Sequence, residues 1–192
     1  MESRGIRNNN PLNIRHSADR WEGARIEQTD KSFVQFQTMA YGYRAAWKVL
    51  ESYWKHFKRQ RQPFTVAHII ARWAPPSENH TDAYVSTVLK LTSLGGKENL
   101  PRPFMGIAID KLVRLLAAMT TMECGIPYEK VDVQAILDGY DLAFPGKRAE
   151  AEILENYRHL DEYWDWSPVA PWCHSERSEE SEYINFVNIN KR

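Results

Sequence analysis

Met39, Tyr43, Ala46, Trp47, Leu50, Trp54 and Phe57 recur at three- and four-residue steps, and no other feature limits the fold of this chain so strongly. That spacing gathers apolar side chains into one stripe along an α-helix starting near Thr38, while Lys48, Lys55, Lys58 and Arg59 point to water. A stripe of that length is stable only when other elements bury it, so the chain needs further helices packed around this one. Its 192 residues suit one domain, or a domain with a tail. With 43% hydrophobic and 12% aromatic residues, there is enough apolar area for a core.

The partner helices are legible too. Thr65, following Pro63, is placed to cap a second helix on Val66, Ile69, Ile70 and Trp73, and Pro75-Pro76 ends it. A third runs from about Thr81 to Leu91 on Tyr84, Val85, Val88 and Leu89. Gly95-Gly96 and Pro101/Pro103 break the chain. An apolar central helix follows over Ile107 to Glu123, with Gly125 as the residue just past its end. Asp132 is set to cap a helix reaching Ala143, Pro145-Gly146 breaks it, and Arg148 to about Trp164 reads as a last amphipathic helix.

The N-terminal region has a different character. Three asparagines before Pro11 cannot lie inside a helix, because their side chains compete for backbone hydrogen bonds and proline disfavours helix in the residue before it. Their amides either fix a loop or meet a polar partner. Asn13–His16, Ala24–Gln28 and Phe33–Phe36 alternate polar with apolar residues between turn-like segments, which predicts a small antiparallel sheet. The expected fold is therefore mainly α, a helical domain with a small antiparallel β-lobe near the N-terminus. Residues 4–100 carry the lobe and first helices, and 101–170 the C-terminal helical part of the same domain. Residues 171–192 are polar and nearly repetitive, similar to a translated intergenic repeat, and are expected to be a disordered tail.

Lys+Arg and Asp+Glu are equal at 25 each, so no global field argues for nucleic acid, and none is expected as a partner. The charge is unevenly placed: Lys48 to Arg61 is basic, and Glu150 to Asp165 acidic. Solvated helix faces are the plain reading of both, with an anionic polymer on the basic face as the minority one. Cys124 and Cys173 make no disulfide framework, and no Cys/His spacing suggests zinc, so neither a metal nor a cofactor is expected. No apolar run approaches the ~20 residues that span a bilayer, and the N-terminus lacks a signal-peptide core. A cytoplasmic protein without membrane association, or one carried in a virion or released on lysis, is expected.

Two stretches carry a resemblance. Gly5-Ile6-Arg7-Asn8-Asn9-Asn10-Pro11, extended by Asn13-Ile14-Arg15, and Arg72-Trp73-Ala74-Pro75-Pro76-Ser77-Glu78-Asn79, extended by Thr81 and Tyr84, resemble motifs of a phage and prophage family of virion or structural proteins. The match covers most of residues 4 to 91, with Leu12 where that family usually has glycine. More distantly, Asn9 to Arg15, Trp21 and Phe33 to Phe36 are similar in order to lysozyme-like glucosaminidases and lytic transglycosylases. That resemblance implies a glycan-engaging protein, with peptidoglycan or a related glycan as partner and glycosidic cleavage by a glutamate acid/base as the activity. Asn8, Asn9, Asn10, Trp21, Arg72, Asn79 and Tyr84 would bind substrate. The phage resemblance implies instead a non-enzymatic virion or interaction protein whose partners are other virion proteins.

In the lysozyme-like enzymes a catalytic glutamate at a helix end comes before this loop. Glu123 and Glu78 are the candidates here. Glu123, in Met122-Glu123-Cys124-Gly125, ends an apolar helix, where the dipole and the apolar surround favour the protonated form that a general acid needs. Glu78 follows a Pro-Pro corner at a helix N-terminus, which favours the carboxylate and suits capping or general-base work. Each has a plainer reading, Glu123 as a solvated residue beside a helix stop and Glu78 as a loop lock.

Overall fold

The computed structural model describes residues 2–77, 80–106 and 109–148. They belong to one compact unit spanning Met1–Ile153. Glu78, Asn79, the expected helix beyond Arg148 and the repeat-like tail lie outside the described residues.

The described part is mostly helical: α1 (Arg4–Arg7), α2 (Met39–Arg59), α3 (Val66–Trp73), α4 (Thr81–Thr92), α5 (Ile109–Cys124) and α6 (Val133–Ala143), with a 3-10 turn at Tyr128–Lys130 before α6. The caps follow the sequence. Thr38, Thr65 and Asp132 accept hydrogen bonds from the backbone N–H groups of Tyr41, His68 and Ala135, satisfying donors that a helix start leaves unpaired. Gly125 follows α5 at φ +69°, and its N–H donates to Thr121 O (2.9 Å). α1 was not expected. It is a single turn ahead of the asparagines, and Asn8 ends it.

α2 is the longest helix among the described residues and packs most extensively on α6. Trp47 is fully buried, donates from Nε1 to Ile136 O (3.0 Å), and meets Tyr140 edge-on with ring centroids 5.0 Å apart. Gly139 permits this closeness, since a Cβ there would lie 2.6 Å from Tyr43 Cβ and 2.9 Å from Ala40 O. α3 packs on α4 and α4 on α5, and α5 also meets α1 and α6. Leu12, Ile14, Val34 and Phe36 of the N-terminal region join the same hydrophobic core as α2–α6.

The antiparallel sheet is corrected by the structure. No strand is present among the described residues; two isolated antiparallel bridges, Arg15 with Phe33 and Ala24 with Phe36, stand in its place. Amide side chains explain why pairing does not spread. Gln28 donates to the carbonyls of Arg25 (2.8 Å) and Gln35 (2.9 Å) and accepts from Gln35 N (2.7 Å). Gln35 Oε1 in turn accepts from the N–H groups of Thr29 (2.6 Å) and Asp30 (3.1 Å). Backbone groups that a neighbouring strand would use are taken by side chains of the same loop.

Candidate functional site

The asparagine run is bonded from within. Asn10 is fully buried: its amide donates to Ile14 O (2.9 Å) and Val34 O (2.8 Å), and its Oδ1 accepts from Ile14 N (2.9 Å). Asn9, at φ +50°, donates to Phe36 O (3.1 Å) and Gln37 O (3.0 Å). Asparagine tolerates that left-handed conformation better than most residues. Asn8 donates to Asp30 Oδ2 (2.7 Å) and accepts from Gln35 Nε2 (3.2 Å). Gly42 on α2 allows the run to sit this deep, because a Cβ there would come within 2.1 Å of Asn9 O.

Asp30 anchors the same lobe. Its carboxylate takes Arg4 through two bonds (2.6 and 2.5 Å), together with Asn8 and the N–H groups of Ser32 (2.9 Å) and Phe33 (3.1 Å). The Arg4 bond above all, helped by Asn8 and the two backbone donors and opposed by burial, holds Asp30 well below the usual carboxylate range. Arg4 and Arg15 both lie over the Phe33 ring, at 4.6 and 5.3 Å from its centroid.

The second assembly forms at the C-terminal end of α5, around Glu123. Its Oε1 accepts from the Tyr84 hydroxyl (3.2 Å) and its Oε2 from Asn13 Nδ2 (3.0 Å). Asn13, at φ +50°, also approaches Glu123 O at 3.4 Å, a carbonyl left without a partner within the helix. Next to it, Cys124 is buried and donates from Sγ to Pro11 O (3.2 Å). Burial pushes the Cys124 thiol up, with the Glu123 charge adding to it. Burial and the adjacent Glu123 charge likewise raise Tyr84, so the phenol keeps its proton and donates. Gly5 completes the fit, since a Cβ there would stand 2.7 Å from Cys124 Sγ and 3.2 Å from Asn13 Oδ1.

The cluster ties together two distant parts of the sequence. Asn13 lies in the extension of the first motif and Tyr84 ends the second, and both reach the same carboxylate. Within the second motif, Thr81 Oγ1 donates to Ala74 O (2.6 Å), closing the chain around the Pro75-Pro76 corner.

The expected site residues thus separate into groups. Tyr84 and Glu123 meet. Asn8, Asn9 and Asn10 bond inside the N-terminal lobe. Trp21, expected among the substrate-binding residues, is half-buried and packed against the core. Arg72 is exposed on α3, over the Tyr53 ring (5.0 Å) and bonded to His56 Nε2 (3.3 Å). Asn13, Asp30 and Gln35 were missed as organising residues. The only sequence signal for Asn13 was its place as the fourth asparagine of the motif. Asp30 and Gln35 sat in turn-like or alternating segments that gave no sign of what they bond. No group of three or more His, Cys, Asp or Glu among the described residues is arranged to hold a metal ion. No helix there is long and apolar enough to cross a membrane.

No protein-family model matches the chain. Over 148 residues it is 32% identical to "Protein P5" of Pseudoalteromonas phage PM2, an alignment covering 75% of this chain and 84% of that protein.

Proposed function

The chain belongs to the family of Protein P5 from Pseudoalteromonas phage PM2, and on that premise we propose that it is a non-enzymatic phage protein, a virion or interaction component whose motifs hold its fold. One observation carries this reading: both carboxylate oxygens of Glu123 are occupied by internal donors, Tyr84 and Asn13, that belong to the two motifs. The amides of Asn8, Asn9 and Asn10 are engaged internally in the same way. A carboxylate tied on both oxygens joins the N-terminal segment to α4 and α5, which is the work of a structural latch. In this reading the partners are other virion proteins.

A second reading keeps a specific observation in its favour. Glu123 is partly exposed at a helix end and bonded to Tyr84, one of the residues expected to line a glycan groove. Here Glu123 is the acid/base of a lysozyme-like, peptidoglycan-cleaving enzyme, with Trp21 among its sugar contacts.

Turbidity clearing of purified cell walls separates the two. The structural reading expects no clearing by the protein, and Glu123→Gln lowers stability by about 1 kcal/mol through weaker hydrogen bonds. Clearing by the parent protein that is lost in a folded Glu123→Gln variant overturns that reading in favour of the enzyme. Sedimentation with insoluble peptidoglycan without clearing, abolished by Trp21→Ala, identifies a glycan binder.

A further inference from the structure

Ser52 to Ser77, which forms the second half of α2, the turn after it and α3, contains five Lys/Arg and no Asp or Glu in a chain whose net charge is zero. We propose that this α2–α3 hairpin binds the phosphate backbone of double-stranded nucleic acid without regard to base sequence. Lys58 and Arg59 on α2, Arg61 after it and Arg72 on α3 are all exposed. Arg59 and Arg61 make no ion pair among the described residues, whereas Lys48 and Lys55 are both held by Glu51 at 2.5 and 2.7 Å.

The fold brings the cation of α3 to the end of α2 that carries the others. His56 and Arg59 lie three residues apart on α2 and so share a face. Arg72 reaches that face from α3 by bonding to His56. Arg61, at φ +54°, stands just past the helix end. The same segment carries an aromatic cluster, in which Tyr53 meets Phe57 and Trp73 edge-on, and Phe57 meets Phe64 and His68. Arg72 is held over the Tyr53 ring and by His56, while Arg59 and Arg61 are exposed; guanidinium groups suit phosphate, whose oxygens match their paired donors.

Three features choose among anionic partners. The Tyr53 and Trp54 rings are already covered by Arg72 and Arg102 at 5.0 Å, which leaves those faces unavailable for stacking unpaired bases. The large exposed hydrophobic residues among those described are Ile26, Met122, Val133 and Leu142; none is on the hairpin, so it offers nothing to insert into a bilayer. A basic patch with no large exposed apolar residue lacks the buried core of a specific protein interface. A duplex backbone needs only the charge and its spacing. The inference stands apart from the preceding reading: none of its residues touches Glu123, and its test uses no cell walls.

The test is fluorescence anisotropy of the full chain with a labelled, mixed-sequence DNA duplex of about 30 base pairs, alongside the single strand and phosphatidylglycerol vesicles. Binding to the duplex should weaken about a hundredfold between about 50 and about 200 mM salt, as expected for roughly four phosphate contacts. The double variant Arg59→Gln/Arg61→Gln should keep its melting temperature and lose about two from the salt slope. No duplex binding at the low salt concentration, a slope unchanged in the variant, or tighter binding to the single strand or to vesicles each overturns the proposal.

Discussion

Asp30 gathers a guanidinium, an amide and two backbone donors onto one carboxylate, and so holds α1, the asparagine run and the Ser32–Phe33 turn at a single point. Replacing it by Asn leaves Arg4 without its partner and weakens every remaining bond, so Asp30→Asn should cost about 2 kcal/mol by urea unfolding at neutral pH. The pH dependence has a definite sign. A carboxylate whose folded pKa is depressed contributes stability above its unfolded value of about 4, and loses it as pH falls below that value toward the folded one. The stability gap between parent and Asp30→Asn should therefore be constant at neutral pH and narrow below about pH 4. A gap independent of pH down to 3 would remove the charge from the explanation.

Close approach between elements rests on a few glycines, and two of them separate steric from conformational need. Gly139 faces α2 at a distance that excludes a side chain, so Gly139→Ala should force α2 and α6 apart at a cost of about 2 kcal/mol. A Cβ at Gly125 would meet nothing within 4 Å, yet its φ is +69°; Gly125→Ala should cost about 1 kcal/mol from backbone strain alone. Denaturant midpoints of the two variants test the order. An equal or smaller loss at Gly139 would mean that the α2–α6 contact yields easily. At this scale the helices were largely legible, because Thr38, Thr65 and Asp132 act locally as caps and the apolar period of α2 needs no tertiary information. The lobe was misread for the opposite reason. Its alternation matched a sheet, but Gln28 and Gln35 satisfy the backbone themselves, and no periodicity records what an amide will bond.

The N-terminal lobe and the helices share one hydrophobic core, to which Leu12, Ile14 and Phe36 contribute beside Trp47 and Leu116. The two regions should therefore unfold together. Asn10→Ala removes three buried bonds and should lower stability by about 3 kcal/mol. It should do so as one transition seen alike by tryptophan fluorescence and far-UV circular dichroism. Two separated transitions would make the lobe an independently folding part.

The sequence by itself determined the helical class and the main helix starts and stops, because caps, breakers and apolar periods act over a few residues. It also brought out Tyr84 and Glu123 singly. Only the tertiary structure decided that Asn13 and Tyr84 converge on Glu123, that the asparagines bond inward, and that Arg72 of α3 meets His56 of α2. Those outcomes depend on which side chain meets which backbone group across the fold. Hydrogen bonds of that kind leave no periodic trace in a sequence; they exist once the hydrophobic core has brought distant segments within about 3 Å of one another.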